Sequence, residues 1–331
     1  MTSRRNRSWL MAAAVILAAG SAAACSSGGR PVSLPTSHTT IASPVTSSAP
    51  TVPIRVRGKT HRPRRQPVTS TPTPNPTPVQ TPTPSPAPRG QWPVTALHYT
   101  ANDNFGAGGA YLPGRDGFNL ADVGDKGALD ALPAGVLGLV WLGDCSGATA
   151  AFRAQVDPFA GDHKLFGFYV TDEPDPSSCP ARAIRAEDNW IHAHVRGAKT
   201  FAILQNLGAD DSPDFRAYTP DGTDLDLIGL DPYPVTSGGS PDFHEIATYT
   251  AAAQAAGWPV SRIVPVYQTF GGSSEGDWRL PSPEQERVML ADWAAATPTP
   301  VFDYAYSWGS QDGDIGLARS PALQALFAAK N

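Results

Sequence analysis

The chain has 331 residues, 41% of them hydrophobic and 17% charged, with 34 prolines and 3 cysteines. Its net charge of −5 conceals a division: residues 1–90 hold eleven Lys/Arg and no acid, and residues 91–331 hold fourteen against all thirty acids, so +11 stands beside −16. So acidic a second part is repelled by phosphate backbones and excludes a nucleic-acid partner, and the split predicts two functional parts.

Residues 1–24 read as an export signal. Arg4, Arg5 and Arg7 form a positive start, and Trp9 to Ala19 form an apolar core. That core is too short for a membrane span, which needs about 20 apolar residues. The segment ends Ser21-Ala-Ala-Ala-Cys25, which resembles the lipobox of bacterial lipoproteins, where small residues precede a cysteine that is acylated. The resemblance implies a lipid on Cys25 and anchorage to the outer face of the cell membrane, at about 0.8 kcal/mol per buried CH₂. The alternative is plain cleavage after Ala24, leaving a free thiol.

Residues 25–90 show no apolar periodicity, and 69–88 alternate Pro with Thr and Ser. Such a segment cannot bury a core and favours polyproline II. It predicts a disordered tether reaching at most about 200 Å, at roughly 3.1 Å per residue. Its basic run, 55–65, is either solvated disorder or an adhesive for an anionic surface.

From residue 91 short apolar runs alternate with helical segments. Strands are predicted at 95–99, 118–123, 135–142, 165–171, 200–204, 225–230, 262–267 and 302–307, and helices at 147–160, 180–196, 242–256, 283–296 and 321–329. The helix at 283 is well marked: Ser282 stands at the cap, Pro283 opens the first turn, and Gln285 completes a capping box. Ser320-Pro321 repeats the opening. Strand–helix alternation implies a parallel sheet, and eight strands over residues 91–331 fit a (β/α)₈ TIM barrel. A doubly wound open sheet is the competitor, but no Gly-rich phosphate loop follows the first strand. The domain is expected to act as a monomer. Cys145 and Cys179 remain as one pair, most simply a disulfide in an oxidising envelope, with two reduced buried thiols as the alternative. No ligand spacing suggests a metal, and nothing signals a cofactor.

In a barrel the carboxyl ends of the strands share one rim. His98 and Tyr99 end the first predicted run, Asp144 follows the third, Asp172 and Glu173 end the fourth, and Gln205 and Asn206 the fifth. Asp231 and Tyr233 end the sixth, Gln268 the seventh and Trp308 the eighth. Aromatic faces beside carboxylates and amides suit sugar rings, with Tyr99, Tyr233, Tyr267, Tyr306 and Trp308 as candidates. For each tyrosine a core position is the competing role.

Thr171-Asp172-Glu173-Pro174, Leu230-Asp-Pro-Tyr-Pro234 and Tyr306-Ser-Trp308 stand in an order that resembles the large clan of (β/α)₈ glycoside hydrolases whose acid/base glutamate ends strand four. The resemblance implies a carbohydrate substrate, Glu173 as the acid and Trp308 as the floor of a sugar subsite. One departure stands out. The clan's second glutamate, the nucleophile, ends strand seven, where this chain has Gln268 and Thr269; Glu275 lies further on in a Gly/Ser loop. Strand alternation puts Tyr169, Thr171 and Glu173 on one face and turns Asp172 to the other. Asp231 is then the candidate base of an inverting mechanism, with a turn residue as its competing role, and Asp144 and Glu275 are weaker choices. His98, Tyr99, Gln205, Asn206, Tyr233 and Gln268 are expected to bind hydroxyls, with Asp172 beside them. A link between Cys145 and Cys179 would stiffen the mouth beside Glu173. A carbohydrate-binding pseudoenzyme of the same fold is the alternative.

Overall fold

Eight parallel strands close on themselves in chain order in a computed structural model, which describes residues 92–331 apart from 274, 275 and 312. They are β1 (His98–Thr100), β2 (Leu120–Val123), β3 (Leu137–Trp141), β4 (Leu165–Asp172), β5 (Lys199–Ile203), β6 (Leu227–Leu230), β7 (Ile263–Gln268) and β8 (Asp303–Tyr306). The helices between and after them are α1 (Lys126–Ala131), α2 (Ala150–Val156), α3 (Ala181–His194), α4 (Pro220–Thr223), α5 (His244–Ala255), α6 (Pro283–Ala296) and α7 (Pro321–Lys330). The barrel closes where β1 lies on β8, Tyr99 beside Tyr304 and Thr100 beside Ala305. This is the expected TIM barrel, and every predicted strand overlaps an observed one. The export signal, Cys25 and the tether with its basic run lie outside the described residues, as does Glu275. Among the described residues no helix is long and apolar enough to cross a membrane.

The local chemistry of the helices follows the sequence in most places. At α6 the Ser282 hydroxyl accepts from the Gln285 amide and the Gln285 side chain accepts from the Ser282 amide, the expected capping box. At α7 the Ser320 side chain makes no capping bond, so there only the proline keeps the expected role. The helices α1 and α4, of 6 and 4 residues, escape periodicity because each spans under two turns. Asp125 nonetheless caps α1 through the Ala128 amide at 2.8 Å.

Two apolar layers result. Inside the barrel stand Tyr99, Leu120, Leu139, Tyr169, Phe201, Ile203, Leu227, Val264, Val266, Phe302 and Tyr304. A larger layer lies between strands and helices. Gly229 belongs to the tight inner packing: a Cβ there would lie 2.9 Å from Ile203 and Phe201 carbons.

The seam between β1 and β8 carries charge on its outer side. Because Tyr99 faces in, its neighbour His98 must face out. His98 Nδ1 lies 2.9 Å from Asp303 Oδ1, and Lys330 of α7 donates to Asp303 Oδ2. The Lys330 side chain is 1% exposed. Burial would raise Asp303, but Lys330 and His98 outweigh it and hold the carboxyl below the usual range. His98 therefore clasps the seam and does not reach the rim. Tyr267 is likewise core, its hydroxyl 3.2 Å from Asp303 Oδ2.

Candidate active site

Strand alternation explains what reaches the mouth. From the inner core, Leu120 leads to Asp122, Leu139 to Trp141, Ile203 to Gln205, Leu227 through Gly229 to Asp231, and Tyr304 to Tyr306. Each of these last residues is half-buried. Asp122 and Trp141 were not anticipated; the signal was there in the alternation Leu120-x-Asp122 and Leu137-x-Leu139-x-Trp141.

β4 departs from simple alternation. Its pairing with β5 shifts between Tyr169 and Thr171, where Tyr169 opposes Phe201 and Thr171 opposes Ala202. The surplus residue is a bulge, a device that re-aims side chains beside functional sites. Tyr169 and Asp172 consequently share the inner side, and the Tyr169 hydroxyl donates to Asp172 Oδ1. Thr171 turns out instead, its hydroxyl 3.3 Å from the disulfide sulfur Cys145 Sγ. The expectation that Asp172 faces away is corrected. Glu173 follows at φ 41°, the left-handed region a non-glycine residue seldom occupies, and its amide bonds Ile203 O at 3.1 Å.

Asp122, Asp172, Glu173 and Asp231 share the mouth. Asp122 takes the Tyr99 hydroxyl and the Asn102 amide, each at 3.2 Å. Burial raises its carboxyl, tempered by these two donors. Burial also raises Asp172, with the Tyr169 hydroxyl in opposition. Glu173 has a solvent-open surface, yet neighbouring protein atoms crowd it. Desolvation there and the Asp172 charge beside it push it up to about 7. Asp231 lies well above the carboxylate range, through burial first and then the charges of Glu173 and Asp172. Asp231 therefore lies within electrostatic reach of Glu173 and Asp172. Burial and mutual repulsion thus favour a proton held between Glu173 and Asp231, a property of the pair.

Loops fix this constellation. Cys145 and Cys179 form a disulfide, their Cα atoms 5.1 Å apart, tying the segment after β3 to the one after β4. The Tyr218 hydroxyl lies 2.9 Å from Pro174 O and 2.7 Å from Cys179 O. Asp144 serves its own turn, accepting from the Cys145 and Ser146 amides. Glu187 of α3 accepts from the Gly147 amide at 2.7 Å.

Three other anticipated binders are otherwise engaged. Gln268 is 0% exposed, and its amide bonds Val235 N and O and Arg279 O, stitching the loops after β6 and β7. Asn206 uses its amide on Ala209 O, Tyr249 and the Gly208 and Asp214 amides. Trp308 is 1% exposed, edged by Phe118 and overlaid by Arg115. The chain bends after β8 so that Ala318 N bonds Trp308 O. The aromatic wall is instead built by Tyr306, Tyr233, Phe270, Trp278 and Trp141. Tyr306 and Tyr233 stack at 6.1 Å and 21°, and Trp141 meets Tyr169 edge-on at 4.8 Å.

The structure thus sets carboxylates and aromatic rings at the carboxyl ends of a closed parallel (β/α)₈ barrel. Comparison with solved structures agrees on the fold. A β-galactosidase from the psychrophilic Marinomonas ef1 aligns at TM-score 0.51 and 10% identity, over 72% of this chain and 58% of that one. A β-mannanase from Thermomonospora fusca aligns at 0.47 and 13%, over 70% and 88%. A crystal structure described as a putative α-L-fucosidase from Bacteroides thetaiotaomicron aligns at 0.46 and 13%, over 78% and 97%. No family model and no curated protein sequence matches the chain.

Proposed function

We propose that this domain is an envelope-anchored glycoside hydrolase acting on a poly- or oligosaccharide, with Glu173 as general acid and Asp231 as the base that activates water. The observation that carries this reading is the convergence of a solvent-open Glu173, raised to about 7, with Asp231 across the mouth. A leaving-group oxygen lodged against Glu173 would draw the pair's proton to that side, and Asp231 would then be free to accept one from water. At the end of β7, Gln268 and Thr269 are both fully buried and neither is a carboxylate, which favours inversion over a covalent intermediate. Anchorage rests on the signal-like segment and Cys25 alone.

The test is Glu173→Gln, assayed on a panel of envelope and plant polysaccharides. Turnover should fall by more than about a hundredfold, while oligosaccharide affinity stays within about twofold. Turnover that survives the substitution would refute the assignment. A second reading, a binding module, is favoured by Gln268 in the nucleophile's place. It predicts saturable binding by both proteins and no product from either.

A further inference from the structure

Hydrogen-bond donors and acceptors are unevenly distributed around the mouth. Four carboxyl groups face it, and no Lys, Arg or His among the described residues contributes to the electrostatic surroundings of any of them. The neighbouring phenols direct their single protons elsewhere: Tyr99 to Asp122, Tyr169 to Asp172 and Tyr306 to Gln311. What they leave for a ligand is lone pairs. Beneath them lies Tyr304, 1% exposed. Its hydroxyl lies within electrostatic reach of Asp172 and of the Tyr99, Tyr306 and Tyr233 hydroxyls.

We propose that the sugar entering this mouth carries a free protonated amine, that is, a hexosamine without an N-acyl cap, within an oligo- or polysaccharide. An ammonium offers three donors and no acceptor, the complement of these carboxylate and phenol oxygens. Its charge compensates carboxylates that burial and mutual repulsion disfavour, and the stacked Tyr233 and Tyr306 rings present faces that attract a cation. An N-acetylated sugar offers one amide donor in that place and adds an acceptor. A uronic acid adds a further negative charge. This inference rests on reading the mouth as a saccharide site but does not require turnover there.

The experiment uses the full chain carrying Glu173→Gln, so that hydrolysis does not interfere. Calorimetry at about pH 6, where an amine of pKa near 8 is protonated, compares glucosamine and galactosamine pentasaccharides with their fully N-acetylated counterparts and with a uronic acid pentasaccharide. The free amines should bind at least about tenfold more tightly than the acetylated sugars, the scale of one charge-assisted contact, and the uronate should not bind. The preference should weaken in salt and shrink when Asp172→Asn or Tyr304→Phe is added, with melting midpoints checking that each variant is folded. Equal or tighter binding of the acetylated sugars, or binding of the uronate, overturns the proposal. A wild-type protein that prefers amines yet cleaves none refutes the hydrolase alone. Cleavage of a neutral sugar without amine preference refutes this inference alone.

Discussion

At the residue scale, the chemistry depends on which of two adjacent acids faces inward. Asp172 lies under Glu173 and contributes to holding it at about 7. Asp172→Asn keeps an oxygen for the Tyr169 hydroxyl but removes the charge, so the Glu173 carboxyl should titrate at lower pH. Carbon NMR of labelled glutamate reads this directly, and an unmoved titration would show burial acting alone. The position of Asp231 and Glu173 just past the ends of strands was legible in the sequence because each follows an apolar run. The orientation of Asp172 was not: alternation assumes one residue per pleat, and the bulge at Tyr169–Thr171 adds one. Trp308 misled for a related reason, since it stands beyond β8, where strand alternation no longer governs direction.

At the element scale, two connections are exposed to test. The Cys145–Cys179 link closes a separation of 34 residues, so replacing both cysteines with serine should cost about 3–4 kcal/mol. Chemical denaturation measures this, and added reductant should bring the parent protein to the same midpoint. The second connection is α7, whose Lys330 lies against Asp303 on the β1–β8 seam. Lys330→Met leaves that carboxylate buried without its cation, which should cost about 3–5 kcal/mol at neutral pH. The sign follows from Asp303, whose folded pKa lies below its unfolded one. Its stabilisation is present above the ordinary carboxylate range and disappears as pH falls through the folded value. The gap in melting temperature between parent and variant should therefore narrow on going from about pH 7 to below pH 4. A gap constant with pH would mean that only packing was lost. Sequence reading placed His98 at the rim because the first run was taken to end at Tyr99. Pairing of His98 with Asp303, 205 residues away, is a long-range fact that no local pattern carries.

At the scale of the whole molecule, alternation of strand and helix sufficed to give the barrel, because a parallel sheet needs a crossover after each strand. The charge division adds a second statement about the sequence: a basic segment, 1–90, precedes an acidic one, 91–331. If Cys25 carries the anchor, Cys25→Ser should move the protein from the membrane to the soluble fraction of the envelope, as read by fractionation and immunoblotting. Unchanged membrane retention would point to the basic run, 55–65, instead.

The extra residue in β4 has a consequence for how this domain tolerates change in length. Removing Val170 would take out the surplus residue and leave Tyr169 opposite Phe201, Thr171 opposite Ala202 and Asp172 opposite Ile203. Tyr169 and Asp172 would then face in by ordinary alternation, with Glu173 still following them. A scan of single-codon deletions through the strand should thus find one spot where shortening the chain leaves both acids where they stand, while a loss elsewhere along it displaces them.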